Sequence, residues 1–205
     1  MQSIEGHLPS QSPLHAILAP SGIAVVGASS DPTKRGYKAM LGLVKGGYGG
    51  EIYPVNPKAT SILGVNAFAS ISAIPGTPAL ALICTPAATV PDLIAECGRR
   101  GIKGAVVLAS GFGETGEAGA VLEAKMMANA RAHGVRIIGP NTSGLFNLHH
   151  QVNLLELENL KTGDIGIVSQ SGNMLLSLAL EAQHNGQVGF STYIGPGNQT
   201  DIGFN

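Results

Sequence analysis

The sequence predicts an α/β fold built on a doubly wound parallel sheet. Apolar runs of strand length alternate with amphipathic segments of helix length along most of the chain. The runs are continuous rather than alternating between apolar and polar residues, which is typical of parallel strands covered on both faces. Small and polar residues follow these runs, as expected for the loops that connect a strand to the next helix.

The first strand is predicted over residues 23–28, and a helix follows over residues 34–45. Two glycines at 46 and 47 end this helix, because glycine enters the left-handed region at little cost. A second strand covers residues 51–55. The apolar side of the helix is predicted to consist of Met40, Leu41 and Val44.

The next part of the chain has the weakest pattern, with one short strand predicted over residues 64–68 and a turn-rich return over 75–78. Beyond it, the alternation of strand and helix resumes. In the helix over residues 87–100, the apolar residues recur at the spacing of one helix face. Strands are predicted over residues 79–84, 104–109 and 135–138, and helices over 87–100 and 117–133, the former with Val90, Leu93, Ile94 and Cys97 on its apolar face.

A second unit begins after a linker-like stretch. A strand, a helix and a strand are predicted over residues 164–168, 173–185 and 188–194. One crossover leaves sheet edges and helix faces uncovered, so we expect the sequence to stop inside a second α/β domain. The predicted organisation is a domain over residues 1–146, a linker over 147–163 and an incomplete unit over 164–205.

Charge and hydropathy exclude several classes of partner. Twelve Lys and Arg residues against 13 Asp and Glu residues give a formal net charge of -1, which provides no field to gather nucleic acid or anionic lipid. No apolar stretch approaches the roughly 20 residues of a membrane span, and residues 1–7 lack the features of a secretory signal. We expect a cytoplasmic protein that binds neither nucleic acid nor membranes.

The charged fraction of 12% is about half of the roughly 25% found in ordinary domains. We therefore expect part of the surface to face another domain or subunit, and a homo-oligomer is one hypothesis. Cys84 ends a predicted strand and Cys97 lies in a predicted helix. Both are expected to be small buried side chains rather than a disulfide pair.

The chemistry is expected in the turns after the strands, because open parallel sheets bind ligands outside the carboxyl ends of their strands. These turns are small, polar or rich in glycine, so their N–H groups can approach an elongated, phosphate-bearing ligand. The same sequences also suit ordinary tight turns. They are Gly27-Ala28-Ser29-Ser30-Asp31-Pro32, Asn56-Pro57-Lys58, Thr85-Pro86-Ala87, Ser110-Gly111-Phe112-Gly113 and Gly139-Pro140-Asn141-Thr142-Ser143-Gly144.

The first turn departs from the dinucleotide fingerprint G-x-G-x-x-G. After Gly27, its second and third glycine positions hold Ser29 and Pro32, so a pyrophosphate packed there would meet a side chain. The second strand ends with Asn56 and Lys58 instead of the acidic residue that binds the 2′-hydroxyl of NAD. A lysine favours a phosphorylated ribose, which leaves coenzyme A, with its 3′-phosphate, and NADP, with its 2′-phosphate.

A second phosphate-binding candidate is the start of the helix in the second unit. Ser171 is the expected N-cap, and Gly172 leaves the backbone open to an anion; an ordinary N-cap has the same sequence. The histidines do not recur with Cys, Asp or Glu at ligand spacing, so no metal site is expected. They are His7, His15, His133, His149, His150 and His184.

A set of short segments along the chain forms a recognisable pattern. They are Ile23-Ala24-Val25-Val26-Gly27-Ala28-Ser29, Tyr53-Pro54-Val55-Asn56-Pro57-Lys58, Ile138-Gly139-Pro140-Asn141 and Gly166-Ile167-Val168-Ser169-Gln170-Ser171-Gly172. In this order they resemble the NDP-forming acyl-CoA synthetases, a family related to the α-subunit of succinyl-CoA synthetase. The resemblance covers nearly the whole chain. It implies a Rossmann-like CoA-binding domain followed by a truncated, flavodoxin-like ligase domain.

The resemblance also implies roles for single residues at the nucleotide end of CoA. Lys58 resembles the lysine near the adenosine. The turn after Gly27 resembles the segment that wraps the CoA phosphates, with Ser29, Ser30, Asp31, Pro32 and Thr33.

At the other end of CoA, the resemblance implies that Thr85, Pro86 and Ala87 run along the pantetheine. The groups that resemble the lining of the thioester end are Ser110, Gly111, Phe112 and Asn141. Ser171 and Gly172 resemble the helix start that holds the transferred phosphate.

The activity of that family converts an acid, CoA and a nucleoside triphosphate into acyl-CoA, NDP and phosphate through an acyl phosphate and a phosphohistidine. None of the histidines here matches the phosphohistidine motif, and the catalytic residues are therefore unknown. The ATP-grasp portion, which would bring ATP or ADP and Mg, is also absent from this sequence. The resemblance implies a CoA-binding portion that needs an ATP-grasp domain or subunit, meets a carboxylic acid or acyl-CoA, and is not competent for the full reaction alone.

Other functions fit the same region of sequence. A non-catalytic, CoA-responsive regulatory module and the CoA-binding part of a protein acetyltransferase share this scaffold. An NADP-binding oxidoreductase domain is disfavoured, because no substrate domain or proton donor follows. The identity of the acid is not readable from the sequence.

Overall fold

The structure is a computed structural model, and it describes residues 14–155, 157–186 and 188–204. The start of the predicted first domain, with His7, and the final Asn205 lie outside the described residues. In chain order, the helices are α1 (His15–Leu18), α2 (Arg35–Lys45), α3 (Val90–Arg99), α4 (Glu117–His133) and α5 (Gly172–Asn185). The strands are β1 (Gly22–Val26), β2 (Glu51–Val55), β3 (Ser61–Ile62), β4 (Val65–Asn66), β5 (Leu80–Ile83), β6 (Gly104–Val107), β7 (Arg136–Ile138), β8 (Leu145–Asn147), β9 (Val152–Asn153), β10 (Thr162–Val168) and β11 (Phe190–Ile194).

The larger sheet has five strands in the order β2-β1-β5-β6-β7. All neighbours in it are parallel, and the strand order reverses between β1 and β5. Strands β1, β5 and β6 are buried along their whole length, which explains their continuous apolar sequences. The predicted doubly wound α/β sheet is confirmed.

Helices cover both faces of this sheet, because successive side chains of a strand point to opposite faces. Each face therefore has its own apolar core. One core joins α3 and α4 to one set of strand residues and includes Val90, Ile94, Met126, Ala24 and Ile83. The other joins α2 to the intervening strand residues and includes Met40, Leu43, Ile23, Val25 and Leu82.

The buried side of α2 differs from the predicted one. Leu43 is fully buried, whereas Val44 is 39% exposed and Leu41 is half-buried. Gly36 is also buried, and residues 36, 40 and 43 share one face of a helix. The helix is turned this way because its first turn packs directly on the end of β1, as described below.

The segment between β2 and β5 forms a small hairpin rather than one strand. β3 and β4 pair antiparallel. Leu63 and Gly64 connect them with φ values of 49° and 80°, which is the geometry of a tight two-residue hairpin turn. The short strand predicted over residues 64–68 is found as β4, and Phe68 forms a bridge with Val55, whereas the partner strand β3 was not predicted.

A smaller mixed sheet has the order β10-β11-β8-β9. The parallel pair of β10 and β11, joined by α5, confirms the predicted strand-helix-strand unit. β8 and β9 add to it antiparallel, and Phe146 of β8 is fully buried beside Phe190 and Tyr193. Residues 147–163 thus contain paired structure despite their linker-like pattern, and the division of the chain into domains remains a prediction.

Helix α5 and strand β10 expose many apolar side chains. β10 lies at an edge of its sheet, and only a few residues of α5, such as Leu175 and Ala179, are buried. Although α5 is apolar, neither it nor any other helix among the described residues is long and apolar enough to cross a membrane. The exposed apolar side chains of this surface are Ile165, Val168, Met174, Leu176, Leu178 and Leu180.

Candidate functional site

A cavity of about 720 Å³ lies at the carboxyl ends of β1, β2 and β5. This is where the strand order reverses, the expected position for a ligand of such a sheet. The volume is within the range of roughly 300 to 1,000 Å³ that small-molecule sites occupy. The cavity is lined by the turn after β1, the first turn of α2, the turn after β2, residues 69–71 and the beginning of the β5-to-α3 connection.

The floor of the cavity depends on two glycines. Gly27 has φ +83°, and Gly36 is so close to it that an added Cβ would lie 2.1 Å from the Gly27 carbonyl oxygen. Gly36 therefore supplies the tight packing of helix on strand that the third glycine supplies in a dinucleotide fingerprint. The sequence analysis missed it, although a glycine in the first turn of a predicted helix, where it costs about 1 kcal/mol relative to alanine, was a usable signal.

The start of α2 brings positive charge and open N–H groups to the cavity. Lys34, Arg35 and Gly36 line it, and the first N–H groups of a helix have no partner within the helix. One guanidinium nitrogen of Arg35 donates to the Leu108 carbonyl at 2.8 Å and to the Thr142 carbonyl at 3.4 Å. Arg35 therefore ties α2 to the turns after β6 and β7. The sequence analysis named neither Lys34 nor Arg35 as a site residue.

The turn after Gly27 is held by its own side chains. Ser29 Oγ accepts the Asp31 N–H at 3.0 Å, and Asp31 Oδ1 accepts both the N–H and the hydroxyl of Thr33 at 2.9 and 2.7 Å. The hydroxyl of Thr33, followed by its N–H, lowers the pKa of Asp31. Ser29 and Thr33 line the cavity, whereas Ser30, Asp31 and Pro32 do not.

The turn after β2 closes a second wall. Asn56 donates from Nδ2 to the Ala28 carbonyl at 2.7 Å and accepts the Lys58 N–H on Oδ1 at 2.8 Å. Asn56 and Pro57 line the cavity. Lys58 is exposed immediately after them and does not itself line the cavity.

The turn after β5 forms the third wall through Cys84, Thr85 and Pro86. The hydroxyl of Thr89 donates to Thr85 Oγ1 at 2.8 Å. Ala87 lies outside the lining. Burial raises the pKa of the Cys84 thiol to about 12, against the lowering effect of the Arg35 charge, so the thiol is protonated at neutral pH. The expectation of a buried free thiol is confirmed for Cys97, which is fully buried.

The N–H groups of the turn after β6 were expected to be open to a ligand, but they are already hydrogen-bonded. Glu114 Oε1 accepts the N–H groups of Gly111 and Phe112 at 2.5 and 3.2 Å, and Glu123 Oε2 accepts the N–H of Gly113 at 3.0 Å. The Phe112 side chain is fully buried in the core. The burial of its ring does not support the assignment of Phe112 to the thioester lining, which stays a prediction. Ser110 is exposed beside it.

The remaining candidates lie towards the second unit. Asn141, with φ 56°, donates from Nδ2 to Asn198 Oδ1 at 3.3 Å and does not line the main cavity. Ser171 accepts the Met174 N–H at 3.3 Å, so the predicted N-cap is observed. It lines a separate cavity of about 570 Å³. Gly172 packs against Ser143, since an added Cβ would lie 3.2 Å from the Ser143 Cβ.

In the part of the chain that the structure describes, no three His, Cys, Asp or Glu residues converge as ligands for a metal ion. The lining of the cavity combines turns, a helix start and the cations Lys34 and Arg35 with the carboxylate of Glu96, and Lys58 is exposed just outside it. A helix start beside cations can bind an anion.

Comparison with known proteins agrees with this geometry. Residues 21–147 match the CoA binding domain family, and residues 162–205 match the succinyl-CoA ligase like flavodoxin domain. The α-subunit of acetate–CoA ligase [ADP-forming] II from Pyrococcus furiosus is 40% identical over 185 residues, which are 90% of this chain and 40% of that protein.

Solved structures show the same similarity. The protein PH0766 from Pyrococcus horikoshii OT3 superposes with a TM-score of 0.88 at 39% identity, over 93% of this chain and 43% of its own. The dinucleotide forming acetyl-coenzyme A synthetase 1 of Ca. Korarchaeum cryptofilum, in complex with phosphate and ADP, superposes with a TM-score of 0.88 at 33% identity, over 93% of this chain and 41% of its own.

The chain thus spans less than half the length of each of these relatives. The resemblance stated from the sequence motifs is confirmed, because both domain families occur in the expected order. The chain belongs to the CoA binding domain family, in the form found in NDP-forming acyl-CoA synthetases, with a succinyl-CoA ligase like flavodoxin segment behind it.

Proposed function

We propose that this chain is the CoA-binding portion of an NDP-forming acyl-CoA synthetase and that it binds coenzyme A in the cavity at the ends of β1, β2 and β5. The observation that carries the proposal is the contact of Gly36 with Gly27. It brings the positive start of α2 and the cations Lys34 and Arg35 to the floor of one cavity. A helix start with free N–H groups favours phosphate.

In this proposal, the pyrophosphate of CoA lies against the start of α2, beside Ser29 and Thr33. The adenine packs on the apolar part of the wall, formed by Val55, Ile71 and Leu93. Glu96 also lines this wall, but its carboxylate accepts the N–H and the hydroxyl of Ser72 at 2.9 and 2.6 Å. These hydrogen bonds fix the carboxylate and leave its charge in place, so we place the phosphates at the start of α2 rather than beside Glu96.

The other end of CoA runs along the turn after β5 towards the turn after β6. Thr85 and Pro86 line the cavity, and Ala87 lies beside Gly111, since a Cβ added to Gly111 would be 3.3 Å from the Ala87 Cβ. The pantetheine would therefore leave the cavity past Ala87 towards Ser110 and Gly111. Asn141 lies in the next turn along the sheet, and we propose the thioester end for this region.

The full reaction requires more than this chain. We propose that an ATP-grasp domain or subunit supplies ATP or ADP and Mg, that the start of α5 at Ser171 and Gly172 receives the transferred phosphate, and that the carboxylic acid or acyl-CoA meets CoA nearby. The similarity to the α-subunit of acetate–CoA ligase [ADP-forming] II favours a synthetase over a regulatory module or a protein acetyltransferase. We also propose a cytoplasmic location.

The apolar surface of α5 and β10 supports the need for a partner. An apolar helix face normally packs against another element, and contiguous exposed apolar patches mark interaction sites. We propose that the rest of the ligase covers Leu176, Leu180 and the edge of β10. A homo-oligomer formed through the same surface is the alternative.

Calorimetric titration of the purified chain with CoA and with NADPH tests the function. We expect CoA to bind and NADPH not to bind, because the cavity lacks the glycine spacing of a dinucleotide site. Binding of NADPH without CoA would contradict the proposal and support an oxidoreductase domain. Binding of neither ligand would also overturn it for this chain.

The role of Lys58 is tested by a substitution and a matched ligand. If its ammonium group pairs with the 3′-phosphate, Lys58→Ala should weaken CoA binding by about 1 to 3 kcal/mol, which is roughly 5- to 150-fold. Binding of 3′-dephospho-CoA should be nearly unchanged. Lys103→Ala, at another exposed lysine, is the control. Equal weakening of both ligands by Lys58→Ala would rule out this role.

A further inference from the structure

A segment that follows β11 crosses from the smaller sheet to the larger one. We call residues 195–201 the clasp. Its Asn198 N–H donates to the Pro140 carbonyl at 2.9 Å, and its Asp201 accepts Nε of Arg136 and the Ile137 N–H at 2.8 and 2.7 Å. The clasp therefore holds the edge strand β7 and the turn that follows it.

Two carboxylates connect the clasp to the turn after β6. Asn198 Nδ2 donates to Glu114 Oε2 at 2.6 Å and to Glu123 Oε2 at 3.3 Å, and the Thr200 hydroxyl donates to Glu123 Oε1 at 2.9 Å. The remaining oxygen of Glu114 holds the N–H groups of Gly111 and Phe112. A continuous chain of hydrogen bonds therefore runs from the second unit to the candidate thioester end of the site.

The shape of the turn depends on these carboxylates. Three consecutive N–H groups, at residues 111, 112 and 113, bond to Glu114 or Glu123. The start of α4 adds a close contact, because a Cβ on Gly119 would meet the Phe112 carbonyl oxygen at 1.8 Å. These hydrogen bonds are part-buried or exposed, and because they bind three successive N–H groups they select one backbone arrangement of the turn. The turn is thus held from the side that faces the clasp.

Asn198 is the shared donor for two carboxylates that would otherwise repel each other. Burial tends to raise the pKa of Glu114, but the Gly111 N–H, the Asn198 amide and further N–H groups together lower it. Glu114 is therefore ionised at neutral pH. An ionised acceptor makes the stronger type of hydrogen bond, so loss of the Asn198 amide should loosen both carboxylates at once.

We propose that Asn198 is a positioning residue, which acts through Glu114 and Glu123 to hold the 110–113 turn in the shape that receives the pantetheine end of CoA. The inference rests on the proposed function. It assigns to the second unit an effect on CoA affinity in the first domain, although Asn198 does not line the nucleotide cavity. The nucleotide end of CoA should be independent of it.

The test compares two ligands by calorimetry on the purified chain. CoA contains both ends, whereas adenosine 3′,5′-bisphosphate has the nucleotide end without the pantetheine. Asn198→Asp replaces the shared donor with a third carboxylate. We expect it to lower the affinity for CoA about tenfold, which is the contribution of one charge-assisted hydrogen bond. The affinity for adenosine 3′,5′-bisphosphate should change by no more than about twofold. This second result also shows that the variant is folded.

A compensating double substitution distinguishes a positioning role of Asn198 from a general loss of structure. In the double variant Asn198→Asp with Glu114→Gln, the new amide can accept the Gly111 N–H and donate to the new carboxylate, so the direction of one hydrogen bond is reversed. We expect it to recover at least part of the lost CoA affinity, about threefold or more. Lys125→Ala is the control on α4, since this exposed residue pairs with Asp92 outside the network.

The outcomes are distinct. Unchanged CoA affinity in Asn198→Asp would overturn the proposal, as would equal weakening of both ligands, which would indicate a purely structural residue. Failure of the double variant to recover CoA affinity would also contradict it. If the unsubstituted chain binds neither ligand, the proposed function itself fails.

Discussion

Replacing Gly36 with alanine is expected to lower the free energy of unfolding by about 2 to 3 kcal/mol and to abolish CoA binding. An added Cβ would lie 2.1 Å from the Gly27 carbonyl oxygen, and neither the Cβ, which is fixed to the backbone of α2, nor this backbone oxygen can rotate away. Alanine stabilises a helix by about 1 kcal/mol relative to glycine. The expected loss of stability is therefore the free-energy cost of the clash minus this gain. Urea unfolding followed by circular dichroism measures it.

Gly49→Ala is the matched control for that substitution. At Gly49 an added Cβ would lie 4.0 Å from its nearest neighbour, the side chain of Gln151, so a change within about 0.5 kcal/mol is expected. If Gly36→Ala is as stable as the control and still binds CoA, the close approach of α2 to β1 is not needed for the site.

Phe112→Ala is expected to lower the free energy of unfolding by about 3 to 5 kcal/mol, because it leaves a cavity in a packed core. The side chain is fully buried and packs in the cluster that joins α3 and α4 to the sheet. Phe112→Leu should lose less, since it leaves a smaller cavity, and should keep its CoA affinity because no ligand reaches the ring. Urea unfolding and calorimetry test these expectations.

A different pattern would restore the original interpretation of Phe112 as a ligand contact. That pattern is a loss of stability below about 1 kcal/mol in Phe112→Ala together with a loss of CoA affinity in Phe112→Leu. Thr115→Ala is a nearby control, because the Thr115 hydroxyl only donates to the Phe112 carbonyl at 2.8 Å.

Sequence patterns identified the parallel sheet and the turns that surround the site, for reasons that are local. Continuous apolar runs follow from burial on both faces, as in β1 and β5. The predicted helix over residues 117–133 coincides with α4, which lies between Gly116 and the left-handed C-cap Gly134. Short strands such as β8 and β9 contain too few residues to show a period in the sequence, so the sequence did not predict them.

Within the site, the sequence located Gly27, Ser29, Thr33, Thr85 and Pro86, which line one cavity. It did not locate Arg35, whose role depends on carbonyl groups of Leu108 and Thr142 far along the chain. It also treated the N–H groups after β6 as open, although Glu114 and Glu123 bond to them. Hydrogen bonds between distant residues have no periodic signature in a sequence.

The sequence by itself determined the fold class, the family and the turns where a phosphate-bearing ligand is expected, because periodicity, glycine placement and motif order are properties of neighbouring residues. Only the tertiary structure decided which of those turns share a cavity, which N–H groups are already bonded, and that Gly36 packs on Gly27 and Asn198 bonds to Glu114. Those properties depend on distances between segments that are remote in the chain, and packing sets such distances.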